Sequence, residues 1–115
     1  MIGVPMLTKL FDALPLGVVV LDTGTRVVAY NKYEEVLAGR SVADVLERPF
    51  FAEVAPCLEV KGLHRYFVER IGRQELELDF PFTFPLPHLE TPRDVFVRLR
   101  SFEHEGTPYG IVFVE

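Results

Sequence analysis

Two short apolar runs near the start of the chain and three alternating runs near its end are separated by a block with helical spacing. That division constrains the fold more than any other feature. Gly17 to Leu21 and Arg26 to Tyr30 are β-branched stretches on either side of the Gly-containing turn Asp22 to Thr25, the pattern of a hairpin. Leu76, Leu78, Phe80, Phe82 and Phe84 alternate with Glu77, Asp79, Pro81 and Thr83, the period of a half-buried strand. Pro81 has no N–H to give, so this strand belongs at a sheet edge or carries a bulge. Val95, Val97 and Leu99 alternate again, and Tyr109, Ile111 and Phe113 follow a turn placed at Glu105 to Pro108. Strands segregated at both ends, with helices between them, predict an α+β fold: a five-stranded antiparallel sheet with short helices on one face.

The central block supplies its own punctuation. Asn31 suits a helix N-cap, Glu34 and Glu35 suit a first turn, and Gly39 suits the left-handed residue that ends a helix. Ser41 with Asp44 three residues on opens a second short helix through Leu46. Pro49 to Cys57 reads as a helical turn held between prolines, and Leu63 to Ile71 as a longer helix ended by Gly72. Before the hairpin, Met6, Leu7, Leu10, Phe11 and Leu14 form the stripe of an amphipathic helix that Pro15 stops. The expected organisation is a cap helix at 1–15 and one domain at 16–115. Pro85, Pro87 and Pro92 mark a stiff loop.

Composition removes several function classes. At 115 residues the chain has room for one core. Its single cysteine, Cys57, excludes an internal disulfide and any multi-cysteine metal site. A net charge of −5 argues against a nucleic-acid surface. No apolar run approaches the ~20 residues that cross a bilayer, and a signal peptide is not apparent, so a cytoplasmic location is expected. His64, His88 and His104 show no metal-ligand spacing and read as surface or loop residues. A Cys57–His64 nucleophile pair is conceivable, but nothing in the sequence orients that histidine, so no enzyme activity is expected.

Gly17 to Asp22, Val28 to Asn31 and Gly39-Arg40 resemble the opening of a PAS domain, a sensory module whose sheet and helices wall a ligand pocket. Pro49 to Cys57 resembles the chromophore-attachment segment of the photoactive yellow protein family, and Tyr30, Glu34 and Arg40 match that family at the same spacing to the cysteine. The resemblance implies p-coumaric acid held as a thioester on Cys57. Tyr30 and Glu34 would bind its phenolate, Arg40 would shield it, and Phe50 and Phe84 would stand beside it. It also implies an effector domain or signalling partner outside these residues, such as a histidine kinase.

The chemistry asked of those residues is coherent. A phenolate in an apolar pocket is costly unless hydrogen-bonded, and a tyrosine hydroxyl with a neutral carboxyl supplies two short donors. Tyr30 at a strand end and Glu34 four residues later can share a side. Burial raises a carboxyl pKa, so Glu34 could hold a proton at neutral pH and release it to the chromophore after light-driven isomerisation. The buried carboxylate left behind would favour partial opening.

Blander readings stand beside these. Cys57 fits a small buried hydrophobe, Glu34 a solvated first-turn charge like Glu35, Tyr30 a strand-end aromatic with a wet hydroxyl, and Arg40 the partner of a surface carboxylate. The whole chain also fits a chromophore-free PAS module that binds another small ligand or forms a homodimer through the N-terminal helix. Three departures from the family stand out. Ala38 replaces a hydroxyl residue, the loop after Phe84 is about two residues longer and lacks a covering methionine, and the N-terminal segment is shorter. They predict a shifted absorption or a slower return to the dark state.

Overall fold

The computed structural model describes residues 9–59, 62–73, 75–84 and 91–115. Five strands, β1 (Gly17–Leu21), β2 (Val27–Tyr30), β3 (Glu77–Phe84), β4 (Arg93–His104) and β5 (Thr107–Val114), form one sheet. Its order is β2-β1-β5-β4-β3, and every neighbouring pair is antiparallel. The strands at the two chain ends therefore meet at the centre, where Val19 pairs with Val112. Helices α1 (Lys32–Ala38), α2 (Val42–Val45) and α3 (Leu63–Ile71) lie between β2 and β3 in the chain.

The main core sits between the sheet and these helices. Val19, Leu21, Val97, Leu99, Val112 and Val114 meet Leu37, Val45, Leu58, Phe67 and Ile71 there, all buried. A smaller cluster of Val18, Val20, Ala29 and Ile111 occupies the opposite face, with Phe11 against it. Residues 9–12 are helical and 13–15 form a turn and bend, so the helix stops before Leu14; residues 1–8 of the expected cap, with Met6 and Leu7, lie outside the described residues. So does the loop 85–90, which contains Pro85, Pro87 and His88.

The caps behave as their chemistry requires. Asn31 Oδ1 accepts from the Glu34 N–H at 3.0 Å, and Gly39 adopts φ 71° with its N–H on Glu35 O at 2.9 Å. Ser41 caps α2 through Asp44 N–H. Pro81 lies on β3, an edge strand, opposite Phe96.

Several local expectations are corrected. The Pro49 to Cys57 segment is two distinct turns, a π-helical turn at Phe50–Val54 and a 3-10 turn at Pro56–Leu58. Ala55 N–H reaches back five residues to Phe50 O, a spacing that apolar periodicity does not encode. The β4–β5 turn is only Glu105 and Gly106, both with positive φ, so the strands extend further than expected. On β5 the helix-facing residues are Val112 and Val114, whereas Ile111 and Phe113 belong to the opposite face. Both faces are covered, which hides the alternation. Glu35 is not simply solvated: its Oε1 accepts from Val42 N–H at 2.7 Å and ties α1 to α2.

Candidate functional site

The site begins at the junction of β2 and α1. Asn31 is fully buried there and uses both ends of its amide. Oδ1 accepts from Val18 N–H and Glu34 N–H, while Nδ2 donates to Phe11 O and Leu16 O. This fixes the direction of the first turn of α1, so that Glu34 points at the sheet and Glu35 does not. Above β1 the carboxyl of Glu34 occupies space left by the missing side chain of Gly17.

Glu34 is only 7 % exposed, and its Oε2 is a buried polar atom without a hydrogen-bond partner. Desolvation pushes its pKa up to about 8, so the carboxyl keeps its proton at neutral pH. Tyr30, 1 % exposed, is raised above its ordinary value by burial first and by Glu34 second, with Arg40 opposing. The blander reading of a solvated Glu34 is thereby excluded, and the Tyr30 ring is buried.

A cavity of about 330 Å³ opens beside them. Tyr30, Glu34, Arg40, Phe50, Cys57 and Phe84, the six residues singled out by sequence, all line it. Arg40 holds the far wall: Nη1 donates to Glu53 O at 2.8 Å and to Val54 O at 3.3 Å, so it pairs with backbone rather than a surface carboxylate. Cys57 is a half-buried free thiol whose pKa burial pushes up, partly offset by the backbone N–H groups of Cys57 and Leu58. Phe84 stacks edge-on to Phe82, with centroids 5.1 Å apart, at the end of the aromatic series on β3.

Sequence reasoning did not single out Leu37, Leu58 and Val114, which supply apolar lining. Their signal, apolar residues on core-facing elements, is indistinguishable from ordinary core. Ala38, noted as a departure, also lines the cavity. His64 does not; its ring is engaged with Thr25 and Phe51. Among the described residues, no three His, Cys, Asp or Glu side chains are placed to hold a metal ion, and no helix is long and apolar enough to cross a membrane.

The arrangement can accept a small, mostly apolar ligand near a thiol, with a neutral carboxyl and a phenol to donate hydrogen bonds. Its volume falls at the lower end of ligand pockets, ~300–1,000 Å³, which suits a single aromatic ring with a short tail.

Comparison with known proteins places this geometry. No family profile matches the chain. Photoactive yellow protein of Rhodobacter capsulatus is 40 % identical over 75 residues, 64 % of this chain and 60 % of that protein. The Cereibacter sphaeroides protein of the same name is 36 % identical over 75 residues, with the same coverage. The chain thus spans less than two thirds of these curated relatives. The crystal structure of the photoactive yellow protein domain of the sensor histidine kinase Ppr from Rhodospirillum centenum superposes with a TM-score of 0.78 at 30 % identity, covering 94 % of this chain and 91 % of that one. The PAS domain of an HTR-like protein from Haloarcula marismortui shares the fold at a TM-score of 0.70 and 18 % identity, with 96 % of this chain covered and 94 % of that one.

Sheet order, short helices and a pocket between them define a PAS domain. Within that class, the 30 % identity across nearly the whole fold is decisive. The chain belongs to the photoactive yellow protein family.

Proposed function

We propose that this chain is a blue-light-sensing module that carries p-coumaric acid as a thioester on Cys57. The observation that carries the reading is Glu34 Oε2, a buried polar atom with no protein partner, on a carboxyl that retains its proton and lines the same cavity as a free thiol. Leaving such an atom unpaired costs about 1–3 kcal/mol, and a phenolic oxygen in the cavity would remove that cost.

Loading requires an activated acyl donor. Cys57 Sγ forms the bond to the acyl carbon, the donor's leaving group departs with the electron pair of the broken bond, and the thiol proton goes to solvent. When bound, the group supplies light absorption and a double bond that isomerises. Glu34 and Tyr30 hold its phenolic oxygen, and Glu34 can yield its proton. Phe50, Phe84 and Leu37 exclude water, and Arg40 closes the wall by gripping Glu53 O and Val54 O. Deprotonated Glu34 would be a buried charge above Gly17 with no cation bonded to it, and this instability drives the opening that an effector domain would read. The kinase origin of the Ppr domain supports an effector of that kind.

The test is to mix the purified chain with p-coumaric anhydride. A visible band and a covalent mass gain that survives denaturation are expected. Cys57→Ala should abolish both, and Glu34→Gln should move the band to the red. If the denatured chain gains no mass, the reading fails and a chromophore-free PAS module takes its place.

A further inference from the structure

Thr25, in the β1–β2 turn, is 3 % exposed and adopts φ 62°, a left-handed conformation that a β-branched residue rarely takes. Glycine would relax that backbone, so the side chain must contribute something a glycine could not. Its Oγ1 donates to Gly24 O at 2.7 Å and lies 3.2 Å from His64 Nε2 on α3, 39 residues away. The hydroxyl proton is committed to Gly24, so the hydrogen between Thr25 and His64 belongs to Nε2. Nε2 carries a hydrogen both in the neutral tautomer this bonding selects and in the imidazolium, so the contact does not depend on the charge of His64. Its other nitrogen faces Glu59 Oε2 at 3.6 Å, and Glu59 Oε1 accepts from the His64 N–H at 3.2 Å.

The same ring stacks on Phe51, with centroids 5.1 Å apart and planes at 25°. Phe51 belongs to the Phe50–Val54 turn, in which Phe50, Glu53 and Val54 line the pocket. The backbone of that turn is bonded to the strained residue too: Phe50 N–H donates to Thr25 O at 2.9 Å, and Ala55 N–H to Phe50 O at 2.8 Å. Thr25 therefore holds the turn through its carbonyl and His64 through its hydroxyl. His64 closes the ring of contacts by covering Phe51.

We propose that His64 is a positioning residue for the Cys57 pocket, clasping the Phe50–Val54 turn to the β1–β2 hairpin through Thr25 Oγ1 and the face of Phe51. The proposal rests on that pocket being the ligand site, and its function is to keep the wall between Phe50 and Cys57 in one place.

The test is a variant cycle. Thr25→Gly keeps the left-handed backbone and removes the hydroxyl, His64→Phe keeps the stacking and removes the donor, and His64→Gln keeps a donor. Native-state hydrogen exchange is read at the Phe50 and Ala55 amides of the chain without chromophore, with the β1 and β5 amides as reference. Thr25→Gly and His64→Phe should each accelerate Phe50 and Ala55 about fivefold, the double variant no more than either, and His64→Gln should restore part of the protection. In the p-coumaroyl-loaded chain the same two single variants should shift the visible band, and His64→Gln should return it toward the parent position. Unchanged exchange at Phe50, or equal acceleration of the reference amides, overturns the clasp. If the parent chain takes up no p-coumaroyl group, the pigment reading falls while the exchange experiment still decides the role of His64.

Discussion

Gly17 and Glu34 are interlocked: a β-carbon on residue 17 would overlap Oε2 of Glu34 and come within 3.1 Å of its Cδ. The glycine is a vacancy in β1 filled by a carboxyl from α1. Gly17→Ala must therefore dislodge the acid, because strand backbone cannot retreat as a side chain can. We expect a loss of about 1–3 kcal/mol in denaturant unfolding. The Glu34 carboxyl, followed by carbon-detected titration, should fall from about 8 toward its ordinary range. A variant with an undiminished Glu34 pKa would contradict the packing.

Glu34 also sets a pH dependence whose sign is fixed. Its value rises from 4.5 to about 8 on folding, so between those limits the native state holds a proton that the unfolded chain has lost. Stability contributed by this group is full below about pH 4.5, declines by roughly 1 kcal/mol per pH unit through that window, and levels off above pH 8. Glu34→Gln should remove the decline. Urea midpoints of parent and variant from pH 5 to 9 should diverge steadily, with the variant the more stable at the alkaline end.

Two helix caps in one chain should differ in importance. Asn31 satisfies four backbone groups at a fully buried site, whereas Ser41 makes one exposed bond of 3.3 Å to Asp44 N–H. Asn31→Ala should cost about 2–4 kcal/mol and Ser41→Ala below ~1 kcal/mol. Thermal melts of the two variants compare them directly. Equal losses would show that the buried amide is not the hinge between β2, α1 and residues 9–16.

Phe67, fully buried on α3, brings the tip of its ring against the backbone of β5 at Gly110, where an added β-carbon would overlap it. Gly110→Ala should destabilise by about 1–3 kcal/mol. Gly110→Ala combined with Phe67→Leu should recover part of that loss, because the smaller side chain readmits the methyl group. Additive losses in the double variant would place the strain elsewhere.

Much of the architecture is written locally. Asn31, Gly39, Ser41 and Pro81 each carry a constraint within four residues or within one strand, and the structure honours all four. The Phe50–Val54 turn is less legible because its five-residue hydrogen bond has no apolar period. β5 is opaque for another reason: with both faces covered, Ile111 and Val112 are equally apolar, and the small residue that reveals the inner face is Gly110, which makes room for a ring 43 positions away. At the site, Tyr30, Glu34, Arg40 and Cys57 were visible through family resemblance. The difference between Glu34 and Glu35 was not, since adjacent identical side chains are separated only by the rotation of α1 that Asn31 imposes. The His64–Thr25 contact spans 39 residues and leaves no local trace.

Pro81 has a consequence beyond β3. An edge strand ordinarily presents a row of open donors and acceptors to any passing extended chain. Here the free rim loses a donor at its middle residue. The opposite rim, β2, is four residues long and ends in the buried Asn31, while the Arg26 position beside it is taken by Pro49. Neither margin offers a continuous ladder to a sixth strand, so at high concentration these molecules should stay discrete instead of joining sheet to sheet into fibrils.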